Sequence, residues 1–144
     1  LFRSYADGSV TFMSGHRYGR GFYPGTGAAS ETGTGAGLGH TVNVALPYGI
    51  PRQGFLDAFR AGLEKAAGVS KPELILLSAG FDAHRLDPIG GLGLETEDYA
   101  ELTRIVRGVA NAHCGGRLVS CLEGGYDLGA LADSVALHLE GLLA

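Results

Sequence analysis

Asp82 is the leading candidate for a chemical role in this 144-residue sequence. It comes directly after the apolar segment 73–79, in a loop bracketed by Gly80 and Gly90. Its carboxylate could be a hard oxygen ligand for a divalent metal. An Asx-turn or a helix cap is the alternative, with about equal weight from composition alone. His84 stands two residues later, a spacing that permits a second ligand without specifying one.

Tyr126 is the second candidate, because it follows two glycines that let the backbone turn sharply. Such a turn could project the phenol into a cavity, where a protonated hydroxyl could stabilise a developing oxyanion. The alternative is a core tyrosine whose hydroxyl has a partner.

Glycine is unusually frequent, with 25 residues, and it recurs at positions 33, 35, 37 and 39. A strict G-x-G-x-x-G motif is absent, and no lysine follows as in a phosphate-binding loop. A nucleotide-binding α/β domain is therefore a hypothesis that rests on composition alone.

The elements that must position these residues alternate along the chain. We predict a helix over Pro51–Ala67 and further helices beginning near Thr96 and Leu128. Thr96 and Asp127 are their predicted N-caps. Strands are predicted at 9–14, 41–46, 73–79 and 117–122. A long glycine-rich loop from Gly15 to Gly39 is predicted to be an ordered site loop. This alternation predicts an α/β fold with a parallel sheet between helix layers.

Ligands bind at the carboxyl ends of the strands in such sheets. The sequence places its unusual polar residues after predicted strands: Ser14 and His16 after the first, Asp82 and Asp87 after the third, and Tyr126 after the fourth. We therefore expect a binding or catalytic site along this edge.

Composition excludes several classes of function. The net charge is −4 and no Lys/Arg cluster is present, which argues against direct nucleic-acid binding. No apolar segment approaches the roughly 18 residues of a membrane span, and we expect a cytoplasmic protein without membrane partners. Cys114 and Cys121 are interpreted as small core residues.

Four motifs together resemble the histone deacetylase and acetylpolyamine amidohydrolase family: FYPGTG at 22–27, VNVALPYG at 42–49, LLSAGFDAHRLDPIGG at 76–91 and CLEGGYDL at 121–128. The resemblance is closest to class II and bacterial deacetylase-like members. It implies the arginase-deacetylase fold and a zinc ion at the strand ends. Asp82 then corresponds to a zinc ligand and Tyr126 to the tyrosine that assists catalysis.

The same resemblance assigns roles at the substrate tunnel. Tyr23 would line it, with Pro88 and Ile89 on the opposite wall. Ser14 matches a position that helps to bind a structural monovalent cation such as K⁺.

The sequence also departs from the family pattern. The family's other two zinc ligands, an Asp-x-His pair distinct from Asp82 and His84, and its tandem histidines lie before the part matched here, and the five histidines of this sequence form no His-His pair. We interpret residues 1–144 as the carboxyl-terminal part of one deacetylase-like domain and expect this chain alone to be inactive. The complete form would be a zinc-dependent hydrolase acting on acetylated lysine, polyamine or a related acylated amine. The alternative is a non-catalytic acyl-amine-binding module or an inactive remnant of the same fold. Oligomeric state is not predicted.

Overall fold

The computed structural model describes residues 4–144, in which strands and helices alternate. Their order is β1 (Phe12–Arg17), β2 (Thr41–Leu46), α1 (Arg52–Ser70), β3 (Ile75–Ala79), α2 (Thr96–Cys114), β4 (Leu118–Leu122) and α3 (Leu128–Leu143). Two compact units share these elements: one comprises residues 4–48 and 57–71, and the other residues 49–56 and 72–144. The four strands form two parallel pairs, β1 with β2 and β3 with β4. The predicted α/β class with parallel strands is confirmed.

The first unit is built on β1 and β2, with α1 packed against them. A side chain at position 62 of α1 would collide with Val44 and Met13. Gly62 therefore allows the helix to lie directly on the two strands. Gly15 similarly lies against the Phe59 ring, where an added Cβ would come within 3.2 Å of a ring carbon.

The bounds predicted for the first strand are wrong, and this packing explains why. The strand is Phe12–Arg17 rather than 9–14, so Ser14 and His16 lie within it and not after it. Gly15 suggested the start of a loop, but its missing side chain accommodates the Phe59 ring in the middle of the strand. The glycine-rich loop correspondingly begins at Tyr18 rather than at Gly15.

The second unit packs α2 against α3, and α3 contacts β4 through His138 and Ser120. A chain of hydrogen bonds crosses its interior: the Ser120 hydroxyl donates to His138 Nε2 (2.8 Å), His138 Nδ1 donates to Thr103 Oγ1 (2.6 Å), and Thr103 donates to the Tyr99 carbonyl (2.6 Å). Burial lowers the pKa of His138, so the neutral ring required by this arrangement is favoured.

The helix starts follow local capping rules. Asp127 caps α3 as predicted, accepting a hydrogen bond from the Ala130 N–H at 2.9 Å. The predicted cap Thr96 is wrong, because Glu95 is the N-cap of α2 and forms a capping box with Asp98. Acidic residues at both positions of the box also suit the positive end of the helix dipole.

The remaining expectations concern cysteines and membranes. Cys114 is buried as predicted, whereas Cys121 is exposed on β4, which corrects its core assignment. Its strand position turns the side chain to the face that carries exposed Val119. None of the helices within residues 4–144 is long and apolar enough to cross a membrane.

Candidate active site

The loops that follow β3 and β4 begin side by side. Pairing between the two segments continues beyond the strands, because the Glu123 N–H donates to the Ala79 carbonyl (3.0 Å) and the Phe81 N–H donates to the Gly124 carbonyl (2.7 Å). The first residue after this pairing is Asp82, and its carboxylate lies against Gly124. The predicted meeting of residues from the two strand ends is therefore present in the second unit.

Asp82 presents a half-buried carboxylate without an external partner. Within residues 4–144 no other residue donates a hydrogen bond to it, and only its own backbone N–H acts to lower its pKa. A Cβ at position 124 would come within 3.1 Å of Asp82 Oδ2, so glycine there leaves the carboxylate room without displacing it. Burial, together with the negative charge of Asp87, raises the pKa of Asp82. A bound cation would relieve both effects.

Asp87 is less exposed, at 8%, and both oxygens of its carboxylate accept hydrogen bonds. Its Oδ1 accepts hydrogen bonds from the N–H groups of Ile89 (2.8 Å) and Gly90 (3.0 Å), and its Oδ2 accepts one from the Tyr126 N–H (2.8 Å). Burial by itself would raise the pKa of Asp87, but these donors and the Asp127 N–H lower it below the ordinary value. The side chain joins the loop after β3 to the loop after β4.

Tyr126 is tied at its backbone and free at its ring. The side chain is 54% exposed, and no partner for its hydroxyl is found in the described part of the chain. The core tyrosine of this region is instead Tyr99, whose hydroxyl donates to the Phe81 carbonyl at 2.8 Å. Tyr126 is thus able to donate a hydrogen bond to a bound molecule.

His84 has a structural environment. It is 3% exposed, and its Nδ1 accepts a hydrogen bond from the Leu86 N–H at 3.2 Å. The proton therefore lies on Nε2, which faces the Thr96 hydroxyl at 3.3 Å. With both ring nitrogens occupied, His84 does not join Asp82 as a metal ligand in this arrangement.

The donor set for a metal is partial. Asp82 fits one ligand of a divalent cation, since carboxylate oxygen is a hard ligand and nothing else occupies it. Residues 4–144 contain no group of three His, Cys, Asp or Glu side chains that could hold a metal ion. The described residues thus supply one ligand and not a complete centre.

Ser14 belongs to the first unit, within β1. Its hydroxyl lies 2.9 Å from His16 Nδ1, while His16 Nε2 lies 3.0 Å from the Gly27 carbonyl. A carbonyl can only accept, so Nε2 of a neutral ring carries the proton and Ser14 donates to Nδ1. The lone pairs of the Ser14 oxygen then remain available to a cation.

Tyr23 also belongs to the first unit, on the loop between β1 and β2. Its ring is 88% exposed. The preceding residue, Phe22, stacks on the Arg17 guanidinium (4.2 Å), which also lies over the Tyr48 ring (4.5 Å). This cation–π stack fixes the loop immediately before Tyr23.

The predicted tunnel residues of the second unit are exposed as well. Ile89 is 58% exposed and Pro88 is exposed beside it. Both belong to the turn that Asp87 closes through the Ile89 and Gly90 N–H groups.

The glycine repeat has a packing explanation. Gly37 lies against the backbone of residues 5–7, and Gly33 lies against the Gly37 carbonyl. These glycines allow backbone to approach backbone within the loop.

Sequence reasoning left the role of Asp87 open and missed the approach of Gly124 to Asp82. The signal for a local turn was present, because an aspartate followed by Pro-Ile-Gly favours an Asx-turn. The bond to the Tyr126 N–H joins residues 39 positions apart, and no local pattern encodes it.

Comparison with known proteins gives a consistent result. A model of the histone deacetylase domain matches residues 3–142. The chain is 45% identical over 132 residues to "Histone deacetylase 10, chloroplastic" of Oryza sativa subsp. japonica, covering 92% of this chain and 29% of that protein. It is 44% identical over 128 residues to a "Probable deacetylase" of Archaeoglobus fulgidus, covering 88% of this chain and 35% of that protein.

A solved structure shares the fold. The acetylpolyamine aminohydrolase from Burkholderia pseudomallei superposes with a TM-score of 0.86 at 27% identity, covering 98% of this chain and 40% of that one. The similarity supports the predicted arginase-deacetylase fold, which is incomplete here. The chain spans about a third of the length of the two curated relatives.

Proposed function

The chain belongs to the histone deacetylase family, and from that premise we propose that the protein carrying it is a zinc-dependent hydrolase. The reaction would remove the acetyl group from acetylated lysine, an acetylated polyamine or a related acylated amine, giving acetate and a free amine. Members of the family are acetyl-removing hydrolases and are generally metal-dependent. The observation that carries the proposal is the pairing of an unpartnered carboxylate, Asp82, with an unpartnered phenol, Tyr126, on adjacent loops.

Asp82 would supply one ligand to the zinc. When bound, zinc would polarise the amide carbonyl and lower the pKa of water. A catalytic zinc normally has three protein ligands, so the remaining ligands would come from parts of the protein beyond this sequence. The general base is likewise not assigned to a residue of this chain, because the family's tandem histidines have no counterpart in it.

Tyr126 would donate a hydrogen bond to the oxyanion that develops as the carbonyl is attacked. Its phenol is available because the residue is 54% exposed and no hydroxyl partner is found within residues 4–144. Such a donor acts in the transition state more than in the ground state, so it contributes to kcat more than to substrate binding.

The substrate's uncharged stem would pack on apolar side chains. We assign this contact to Tyr23, Pro88 and Ile89, whose exposure leaves them available. Methylene groups pack well on ring faces, which favours a long acylated amine over a bulky one. Ser14 would contribute a hydroxyl oxygen to a structural monovalent cation such as K⁺. A cytoplasmic location stays a prediction.

The test is acetate release from an acetylated lysine peptide and an acetylated polyamine by the whole protein, with zinc present. Tyr126→Phe should lower kcat by about 10²- to 10³-fold, the usual effect of removing one oxyanion donor, with a much smaller change in KM. Tyr18→Phe is the matched control and should retain full activity. Unchanged kcat in Tyr126→Phe would contradict the assigned role.

A non-catalytic binding module is the second candidate, and it is favoured by the single metal ligand found in residues 4–144. It predicts affinity for an acetyl-lysine peptide without acetate release and without dependence on zinc. Zinc-dependent acetate release by the whole protein would exclude it.

A further inference from the structure

The Asp87 carboxylate is a buried charged group to which the proposed reaction assigns no role. It is 8% exposed, and within residues 4–144 it has no cationic partner. Its oxygens instead accept hydrogen bonds from backbone N–H groups in two different loops, at 2.8–3.0 Å. A charged group in such surroundings is costly to bury unless these bonds are all made.

We propose that Asp87 is a positioning residue that holds Tyr126 in place for hydrogen bonding to the substrate. The inference deepens the proposed function and rests on it. Asp87 touches neither the substrate nor the metal in this account; it acts through the backbone of Tyr126.

The need for such a tie follows from the sequence before Tyr126. Gly124 and Gly125 have no side chain to restrict their backbone, and Gly125 adopts a φ of 139°, which other residues rarely adopt. These glycines leave the direction of the next residue weakly determined. A charged acceptor bonded at 2.8 Å to the Tyr126 N–H fixes the peptide plane from which that side chain leaves.

The two oxygens of Asp87 have different tasks. Oδ1 closes a local turn on Ile89 and Gly90, two and three residues ahead. Oδ2 makes the long-range bond to Tyr126. An asparagine can close the same local turn through its carbonyl oxygen, but its NH₂ group would then face the Tyr126 N–H, donor against donor. Asp87→Asn should therefore keep the turn at Pro88 and Ile89 and lose the tie to Tyr126.

The experiment is a double-mutant cycle on the whole protein with zinc, measuring kcat and KM for acetate release. Asp87→Asn should lower kcat by at least about tenfold, since small misplacement of a catalytic group is costly, with KM nearly unchanged. In the Tyr126→Phe background the same substitution should lower kcat by less than about twofold, because the group it positions is gone. Asp133→Asn, an exposed charge removal on α3, is the matched control and should keep wild-type kinetics.

The two proposals fail in different ways. If Tyr126→Phe lowers kcat and Asp87→Asn lowers it by the same factor in both backgrounds, Asp87 acts through general stability and the inference is overturned. Unchanged kcat in Asp87→Asn overturns it as well. If Tyr126→Phe itself leaves kcat unchanged, the proposed role of Tyr126 fails, and the inference falls with it.

If the Asp87→Asn variant does not fold, a measurement on the wild-type protein still tests the inference. Amide hydrogen exchange should be slow at Tyr126 and Ile89, because both N–H groups are bonded to the buried carboxylate. Exchange at the Tyr126 amide as fast as in an unstructured peptide would overturn the inference.

Discussion

Two aspartates of the loop after β3, Asp82 and Asp87, lie in opposite electrostatic environments. At the start of the loop, Asp82 is half-buried, receives no hydrogen bond from another described residue, and has a raised pKa because of burial and the charge of Asp87. Five residues later, Asp87 is less exposed, and backbone N–H groups hold its pKa below the ordinary value. One environment leaves a negative charge unsatisfied and the other satisfies it completely.

The difference separates a carboxylate available for binding, Asp82, from a carboxylate that stabilises the fold, Asp87. A carboxylate that the fold does not satisfy is available to a cation, at a cost to the metal-free protein. A carboxylate that the fold satisfies fully has no capacity left for a ligand and can only hold structure. The comparison predicts opposite consequences for the same substitution, Asp to Asn, at the two positions.

The largest expected effect is on turnover at Asp82. Asp82→Asn removes a proposed zinc ligand, and we expect kcat for acetate release to fall by about 10³-fold, because the charge stabilisation supplied by a metal is worth several kcal/mol. Metal content measured on the purified protein should fall in parallel. Full zinc content with unchanged turnover would contradict the assignment of Asp82.

The next effect is on stability at Asp87. Asp87→Asn should lower the free energy of unfolding by about 1–3 kcal/mol, because a buried donor loses its charged acceptor. Denaturant unfolding of the metal-free protein measures this, with Asp133→Asn as the exposed control. A loss no larger than in the control would show that the bonds of Asp87 do not stabilise the fold.

The pH dependence of unfolding should separate the two carboxylates. The ordinary aspartate pKa is 3.8. Asp87, with its lowered pKa, contributes stability that is complete above that value and is lost as the pH falls through the lower folded pKa. Asp82 has the reverse sign: its contribution is complete below 3.8 and is lost as the pH rises through the higher folded pKa.

Melting temperature measured between about pH 3 and pH 6, a range that spans the ordinary aspartate pKa, tests this assignment. Asp87→Asn should reduce the change of melting temperature with pH below about 3.8, the ordinary aspartate pKa. Asp82→Asn should reduce the change above that pH. The same profile in both variants would remove the distinction.

The smallest effect is a gain. Asp82→Asn should stabilise the metal-free protein by less than about 1 kcal/mol, because it removes a poorly solvated charge that solvent still partly screens. Differential scanning calorimetry without metal measures the gain. A destabilised Asp82→Asn protein would show that the carboxylate has a structural partner after all.

The sequence predicted β2, β3, β4, the three helices and the Asp127 cap, because periodicity and capping are local, although the cap of α2 is Glu95 and not the predicted Thr96. It placed β1 wrongly since Gly15 signals a turn by itself, and only the packing of Phe59 explains its position inside a strand. It also weighed an Asx-turn for Asp82, whereas Asp87 forms that turn. The local N–H donors of Asp87 are Ile89 and Gly90, but its second oxygen bonds to Tyr126 in the loop after β4, more than 30 residues away in the chain.

The candidate site was predicted through type and order rather than geometry. Strand ends in parallel sheets meet at one edge, which was enough to bring Asp82, Asp87 and Tyr126 together. Gly124 could not be identified as the residue that makes room for Asp82, because that role depends on a contact between two chain segments.

The most direct test of the account is thermal unfolding of wild-type, Asp82→Asn and Asp87→Asn proteins, each with and without added zinc. A ligand that binds only the folded state raises the melting temperature. We expect zinc to stabilise the wild type and Asp87→Asn but not Asp82→Asn. Without zinc, Asp87→Asn should melt lower than the wild type and Asp82→Asn slightly higher. An equal zinc-induced rise in all three proteins would contradict this expectation.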